Sequence, residues 1–202
     1  MNEKQYDWSF GFQYFIACAV GVGLLGMVAF LTMWSIGEFM MGFAGETAAW
    51  ITAGSLFGSL IALGASVGTG LLLAGQGVEA RKWIGFSAAA GGIGGALGFG
   101  LVATFSNVET VPESLAGVMM GLTVGLPLGI GQLLALRQAG VATNVWPMIT
   151  TIAFIFAFSV GFALGGEGRE WIALGGMGLI CGSITALAMV WLLGSKQTAV
   201  AA

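Results

Sequence analysis

Three glutamates repeat at a spacing that could support ion chemistry. Glu46, Glu109 and Glu170 are each followed by glycine at the eighth and twelfth positions. Carboxylates that gather at the mouth of a membrane protein attract cations, as they do in some channels. Each glutamate also precedes an apolar stretch, where a negative charge stabilises a helix start by about 0.3–1 kcal/mol. We favour this structural interpretation and keep an outer cation vestibule as the alternative.

Two further motifs match enzyme signatures in sequence but lack the residues or the structural context that the chemistry needs. Residues 64–68 read Gly-Ala-Ser-Val-Gly, like a nucleophile elbow around Ser66, but that chemistry needs a general base, normally histidine. The sequence contains no histidine. Residues 21–26 match the dinucleotide-binding glycine fingerprint, yet they lie inside an apolar stretch rather than after a strand. We therefore predict no enzymatic activity.

The missing histidine also removes the commonest zinc and haem ligand. The two cysteines, Cys18 and Cys181, both fall within apolar stretches, which favours buried packing residues over a metal site or a disulfide framework. We predict no catalytic residue, metal or cofactor, although a bound lipid or pigment is compatible with the composition.

The composition indicates the surroundings in which the chain folds. Apolar residues make up 57% of it, charged residues only 7%, and the mean hydropathy is +0.96. A soluble domain carries roughly 25% charged residues to cover its surface. The formal net charge is −3 and no basic cluster exists to neutralise phosphates, so nucleic acid is not expected as a partner. The expected surroundings are a lipid bilayer.

Six stretches reach the roughly 20 apolar residues that a membrane-spanning helix needs. They cover residues 10–34, 50–74, 83–105, 115–136, 145–164 and 171–193. All seven tryptophans fall within a few residues of a predicted end, as expected of side chains that prefer the membrane–water interface. The sequence predicts one transmembrane domain over residues 1–202, with either an interfacial helix or an ordered loop over residues 35–49.

Basic residues set the expected orientation. Five of the six lie on one side of the predicted spans: Lys4, Arg81, Lys82, Arg137 and Lys196. Arg169 lies on the other side, together with most of the glutamates. Because cytoplasmic loops of membrane proteins carry an excess of lysine and arginine, both termini are predicted to be cytoplasmic.

The glutamate–glycine motif predicts an internal repeat. Its copies are 63 and 61 residues apart, which is the length of one helical hairpin. The predicted hairpins cover residues 10–76, 83–138 and 145–197 and share one direction, so they are parallel repeats about an axis along the membrane normal. The predicted fold class is an all-α membrane protein with six transmembrane helices arranged as three parallel hairpins.

Glycines at a spacing of four mark the second helix of each predicted hairpin. In water glycine is roughly 1 kcal/mol worse than alanine inside a helix, but in a membrane small residues let helices approach closely. We expect these helices to make the inner contacts through glycine stripes. The stripe residues are Gly54, Gly58, Gly117, Gly121, Gly125, Gly129, Gly178 and Gly182.

Gln132 is the most polar residue within a predicted span, and Arg137 follows at its end. We favour helix packing for Gln132 and keep a ligand or partner contact as the alternative. Residues 125–137 contain Gly-x3-Gly-x2-Gln-x3-Leu-Arg, and Trp146 opens the next span. This segment resembles glycine-rich, functionally uncharacterised bacterial polytopic membrane proteins. The resemblance implies a bacterial inner (cytoplasmic) membrane and no particular activity.

Two function classes remain. The first is a non-catalytic accessory or scaffold subunit, or an assembly factor, that packs against other integral membrane proteins or against itself. The second is a small passive channel or transporter for ions or small solutes. Close glycine packing leaves little room for a pore. Coupled transporters usually have charged residues in the middle of their spans, and no predicted span here has one. The accessory role is therefore our first expectation.

Overall fold

The computed structural model describes residues 7–106, 112–141, 143–165 and 168–200, with the backbone alone for residues 106, 113, 114 and 195–200. Within these ranges all regular secondary structure is helical. Six helices are long and apolar enough to cross a membrane, which confirms the predicted all-helical class. They are α1 (Trp8–Ala44), α2 (Glu46–Ala74), α3 (Ala80–Ser106), α4 (Glu113–Gln138), α5 (Trp146–Leu164) and α6 (Glu170–Val200).

The first helix begins at a capped turn and ends just before a glycine. The Asp7 carboxylate accepts a hydrogen bond from the Phe10 backbone N–H at 2.9 Å, which satisfies a free donor of the first turn. No proline interrupts residues 35–44, so α1 continues to Ala44, and Gly45 alone joins it to α2. Gly45 has φ +82°, a left-handed conformation that glycine adopts without strain. The expectation of a separate interfacial helix or loop over residues 35–49 is therefore wrong.

The six helices form a closed ring in chain order. Each helix packs against the helices before and after it, and α6 packs against α1. Neighbouring helices run antiparallel: in the α1–α2 pair, Gly21 lies against Gly64 and Ala17 lies against Gly68. The starts of α1, α3 and α5 therefore share one end of the ring, here named the basal end. The starts of α2, α4 and α6 share the other, the distal end.

The even-numbered helices are more buried than the odd-numbered ones. In their most apolar segments, 56% of the residues of α2 and 50% of those of α4 and α6 are buried. The corresponding shares for α1, α3 and α5 are 22%, 33% and 33%. The even-numbered helices are thus the more buried ones, and each extensive helix contact joins an even-numbered helix to an odd-numbered one.

Side chains fill the middle of the ring. One buried cluster draws on α1, α2, α4, α5 and α6 and includes Met120 and Phe154. A second cluster lies at the basal end and includes Trp83, Trp146 and Met189. Lipid tails are as apolar as these side chains, so van der Waals packing, rather than exclusion from water, holds such clusters together in a bilayer.

Candidate functional site

The α4–α5 interface is built on four glycines of α4. In order along α4 they are Gly117, Gly121, Gly125 and Gly129, and their nearest α5 backbone neighbours are Ser159, Ile155, Thr151 and Pro147. A Cβ atom added at Gly117, Gly125 or Gly129 would lie 2.7, 2.8 or 2.6 Å from an α5 Cα atom, and one at Gly121 would overlap the Ile155 backbone. Successive contacts are thus four residues apart on both helices, in opposite chain directions. The two backbones are in contact over most of their length.

The remaining stripe glycines occupy equivalent places around the ring. Gly54 and Gly58 of α2 lie against the backbone of α3. Gly178 and Gly182 of α6 lie against the backbone of α1. Each glycine pair that follows a glutamate at the repeated spacing therefore faces the next odd-numbered helix. The same motif position joins α2 to α3, α4 to α5 and, at the closing seam, α6 to α1.

Two of the three glutamates of this motif, Glu46 and Glu170, lie at the distal end. Glu46 is the first residue of α2, and Glu170 is the first residue of α6. The Glu170 carboxylate accepts a hydrogen bond from the Gly168 backbone N–H at 3.2 Å. Glu109 lies outside the described residues. The two described carboxylates thus occupy the position at which a helix dipole favours negative charge.

Two buried tryptophans repeat one hydrogen bond at the basal end. The Trp83 indole N–H donates to the Thr69 hydroxyl at 3.1 Å, and the Trp146 indole N–H donates to the Gln132 side-chain oxygen at 2.9 Å. In each bond the tryptophan comes 14 residues after its acceptor in the sequence. The acceptor lies on an even-numbered helix and the tryptophan on the next odd-numbered helix. Both partners of the second bond lie 63 residues after those of the first, which is the spacing of the first two copies of the glutamate motif.

Trp83 and Trp146 lie near helix starts, as predicted, but their side chains do not face the membrane–water interface that tryptophan prefers. Both side chains are fully buried with their ring centroids 6.1 Å apart, whereas Trp8, Trp34 and Trp171 are at least 60% exposed. A buried indole is tolerated because its single N–H is paired. The 63-residue spacing that the two tryptophans share with the glutamate motif is the signal in the sequence that could have identified them.

Gln132 connects three helices, whereas Arg137 lies apart from it. Besides accepting from Trp146 of α5, the Gln132 amide donates to the Ser87 hydroxyl of α3 at 3.3 Å, and Gln132 is only 4% exposed. The exposed Arg137 guanidinium donates to the Asn144 side-chain oxygen at 2.7 Å, in the connection to α5. The structure therefore separates the two predicted contact residues into a buried hydrogen-bond network and the surface.

Further buried polar side chains lie in α1, α5 and α6. Tyr14 of α1 is buried in the same basal cluster as Trp83 and Trp146. The Thr150 hydroxyl of α5 is buried, and among the described residues it is the one buried side-chain polar atom without a hydrogen-bond partner. Every helix thus contributes a hydroxyl, thiol, indole or amide. These groups can hold water or a ligand by hydrogen bonds, but the described network contains no carboxylate, amine or guanidinium for acid–base chemistry.

Comparison with known proteins returned no relative. No protein family, curated protein or solved structure matches this chain. The likeness of residues 125–137 to glycine-rich bacterial membrane proteins therefore stays a prediction.

Proposed function

We propose that this protein is a non-catalytic integral membrane subunit that acts as a scaffold or assembly factor of a larger membrane protein complex. It lies in the inner membrane of a bacterium with both termini in the cytoplasm. The basic residues Arg81, Lys82 and Arg137 at the basal end support this orientation. The three hairpins, residues 10–76, 83–138 and 145–197, form one domain, and the equivalent glycine contacts between successive hairpins support a repeat.

The observation that carries this proposal is the exposed tip of α1. The helix has 37 residues and is therefore about 55 Å long, whereas the hydrocarbon core of a bilayer is about 30 Å thick. From residue 38 to residue 47 no residue is buried, and Phe39 and Phe43 are 73% and 81% exposed. Residues four apart lie on one face of a helix. Grouped exposed apolar side chains mark an interaction site for another protein or for a membrane. We assign this group to a protein partner because α1 is longer than the hydrocarbon core.

The interior of the ring is consistent with a structural role. Buried side chains from five of the six helices form one packed cluster, with Phe57, Met120 and Phe158 among them. A solute path through the monomer would have to displace this packing. Most buried polar groups at the basal end are already paired with one another or with backbone carbonyls.

The test is whether the tip of α1 holds the protein in a complex. Gentle extraction followed by native electrophoresis and mass spectrometry should show the parent in a large band with unlike subunits. Phe39→Ala combined with Phe43→Ala should move the protein to a smaller band, because the partner loses its apolar contact. The matched control is Phe156→Ala, which removes a 56% exposed phenylalanine of α5 and should leave the large band unchanged. A parent band that contains this chain alone would contradict the proposal.

A passive channel or transporter is the second candidate, and the polar groups inside the ring favour it. Every helix contributes at least one buried polar side chain, and Thr150 at the basal end has no hydrogen-bond partner among the described residues. In this case Glu46, Glu109 and Glu170 form an outer cation vestibule. Their joint replacement by glutamine should then abolish cation flux into liposomes while assembly stays intact. Flux that survives the triple replacement would contradict the vestibule.

A further inference from the structure

Two cysteines face each other across the seam between the first and the last helix. Cys18 lies in α1 and Cys181 in α6, and both are 2% exposed members of the same buried cluster. Both are free thiols. The contact between α1 and α6 thus places one thiol on each side of the seam.

The backbones of α1 and α6 hold these thiols at short range. A Cβ atom added at Gly178 would lie 2.5 Å from the Ala19 carbonyl oxygen, and one at Gly182 would lie 3.0 Å from that of Phe15. Cys18 lies between the two α1 contact residues, and Cys181 lies between the two glycines. A disulfide needs Cα atoms roughly 4.4–6.8 Å apart. Helices that touch through glycine bring their Cα atoms toward that range.

We propose that Cys18 and Cys181 form a redox site whose oxidation to a disulfide locks α1 to α6. Two S–H bonds break and one S–S bond forms, while two electrons and two protons pass to a bilayer-soluble quinone, which becomes the quinol. The dithiol and the disulfide are both uncharged. The couple therefore suits a low-dielectric interior, in which an ionised group is strongly disfavoured.

A groove opens on the lipid-facing side of the same seam, and we place the oxidant in it. It has a volume of about 410 Å³ and is lined mainly by apolar side chains, among them Trp8, Phe12, Phe15 and Leu187. Phe15 precedes Cys18 by about one helical turn. Charged oxidants that dissolve in water are excluded from the hydrocarbon, whereas a quinone dissolves there.

The experiment uses the full chain in its membrane, with a protease site inserted in the connection between α3 and α4. Cleavage then yields two halves that carry one cysteine each. After treatment with decylbenzoquinone, most halves should stay joined on non-reducing electrophoresis and separate after dithiothreitol. The Cys18→Ser and Cys181→Ser variants should separate under every condition. Molecular iodine, a stronger oxidant of thiols, is applied in parallel.

A second measurement uses the protein without the inserted protease site, because the insertion itself could prevent folding. In the uncut parent, maleimide labelling after denaturation should count two thiols before oxidation and none after it. Halves that separate after both oxidants, or thiols that remain fully reactive, would overturn the pairing. Halves joined by iodine but not by the quinone would overturn the quinone step. Disulfides between two chains, seen as dimers of the uncut protein, would overturn a lock within one ring.

Discussion

The two sides of α5 are packed in different ways. Towards α4, glycines lie directly against the α5 backbone, with Gly121 opposite Ile155. Towards α6, Gly161 of α5 faces the Met177 side chain, whose Cγ and Sδ atoms lie 2.7 Å from the position of an added Cβ. A methionine side chain can adopt another rotamer, whereas a helix backbone cannot move aside alone. The atoms opposite a glycine therefore decide whether that glycine can be replaced.

Gly121→Leu should disturb the α4 side of α5 most strongly. A leucine side chain has no room against the Ile155 backbone, so the helices must separate, and overpacking of this kind costs about 3 kcal/mol. Melting in detergent should show a markedly lower unfolding temperature. Gly85→Leu is the matched control, because nothing lies within 4 Å of a Cβ added at Gly85. If Gly121→Leu melted like the parent, the close α4–α5 contact would be wrong.

Alanine substitutions compare the two sides of α5 more finely. Gly121→Ala places a methyl group against the Ile155 backbone and should lower the free energy of unfolding by about 1–3 kcal/mol. Gly161→Ala meets the Met177 side chain, which can change rotamer, and should lower it by less than Gly121→Ala does. Both changes improve helix propensity equally, so their difference isolates the contact. Unfolding of both variants in one detergent measures it, and a larger loss for Gly161→Ala would reverse our ranking.

The hydrogen bond between Trp146 and Gln132 should stabilise the α4–α5 contact less than the glycine packing does. The Trp146 indole and the Gln132 amide are 2.9 Å apart and both are buried. Hydrogen bonds between membrane helices contribute about 0.6 kcal/mol on average and about 1.7 kcal/mol at most in double-mutant cycles. The cycle of Trp146→Phe and Gln132→Leu should give a coupling within this range. A coupling indistinguishable from zero would show that this bond does not hold α4 to α5.

The charge at the start of α6 should matter least. Glu170→Gln removes a helix-dipole interaction of about 0.3–1 kcal/mol, while the amide oxygen can still accept from the Gly168 N–H. The melting temperature should fall slightly, and added salt should reduce the difference because it screens an accessible charge. A difference that does not change with salt would contradict the dipole explanation.

Hydropathy was sufficient to predict the six helices, because a membrane span requires a long apolar run whatever its neighbours are. The predicted span 50–74 and the observed helix Glu46–Ala74, for example, end at the same residue. Hydropathy failed over residues 35–44. A mildly apolar segment with two glycines is compatible with a loop or a helix, and the helix there ends only at Ala44, before Gly45.

The site was only partly predictable, because spacing along one helix does not reveal the helix opposite. Gly54 and Gly58 of α2 face α3, whereas Gly64 of the same helix faces α1. The basal hydrogen bonds were missed for a related reason. The preference of tryptophan for the membrane–water interface is a property of single residues and says nothing about their partners. The two acceptors, Thr69 and Gln132, also differ in type, although they occupy corresponding positions in the repeat.

The closed ring can be tested at the seam between α1 and α6 with two glycines of α6. A Cβ atom at Gly178 would lie 2.5 Å from the Ala19 carbonyl oxygen, whereas nothing lies within 4 Å of one at Gly175. The measurement is the melting temperature of Gly178→Leu against that of Gly175→Leu in the same detergent. A ring closed through glycine predicts that Gly178→Leu melts well below the parent and Gly175→Leu close to it. Equal melting temperatures for the two variants would contradict the closed ring.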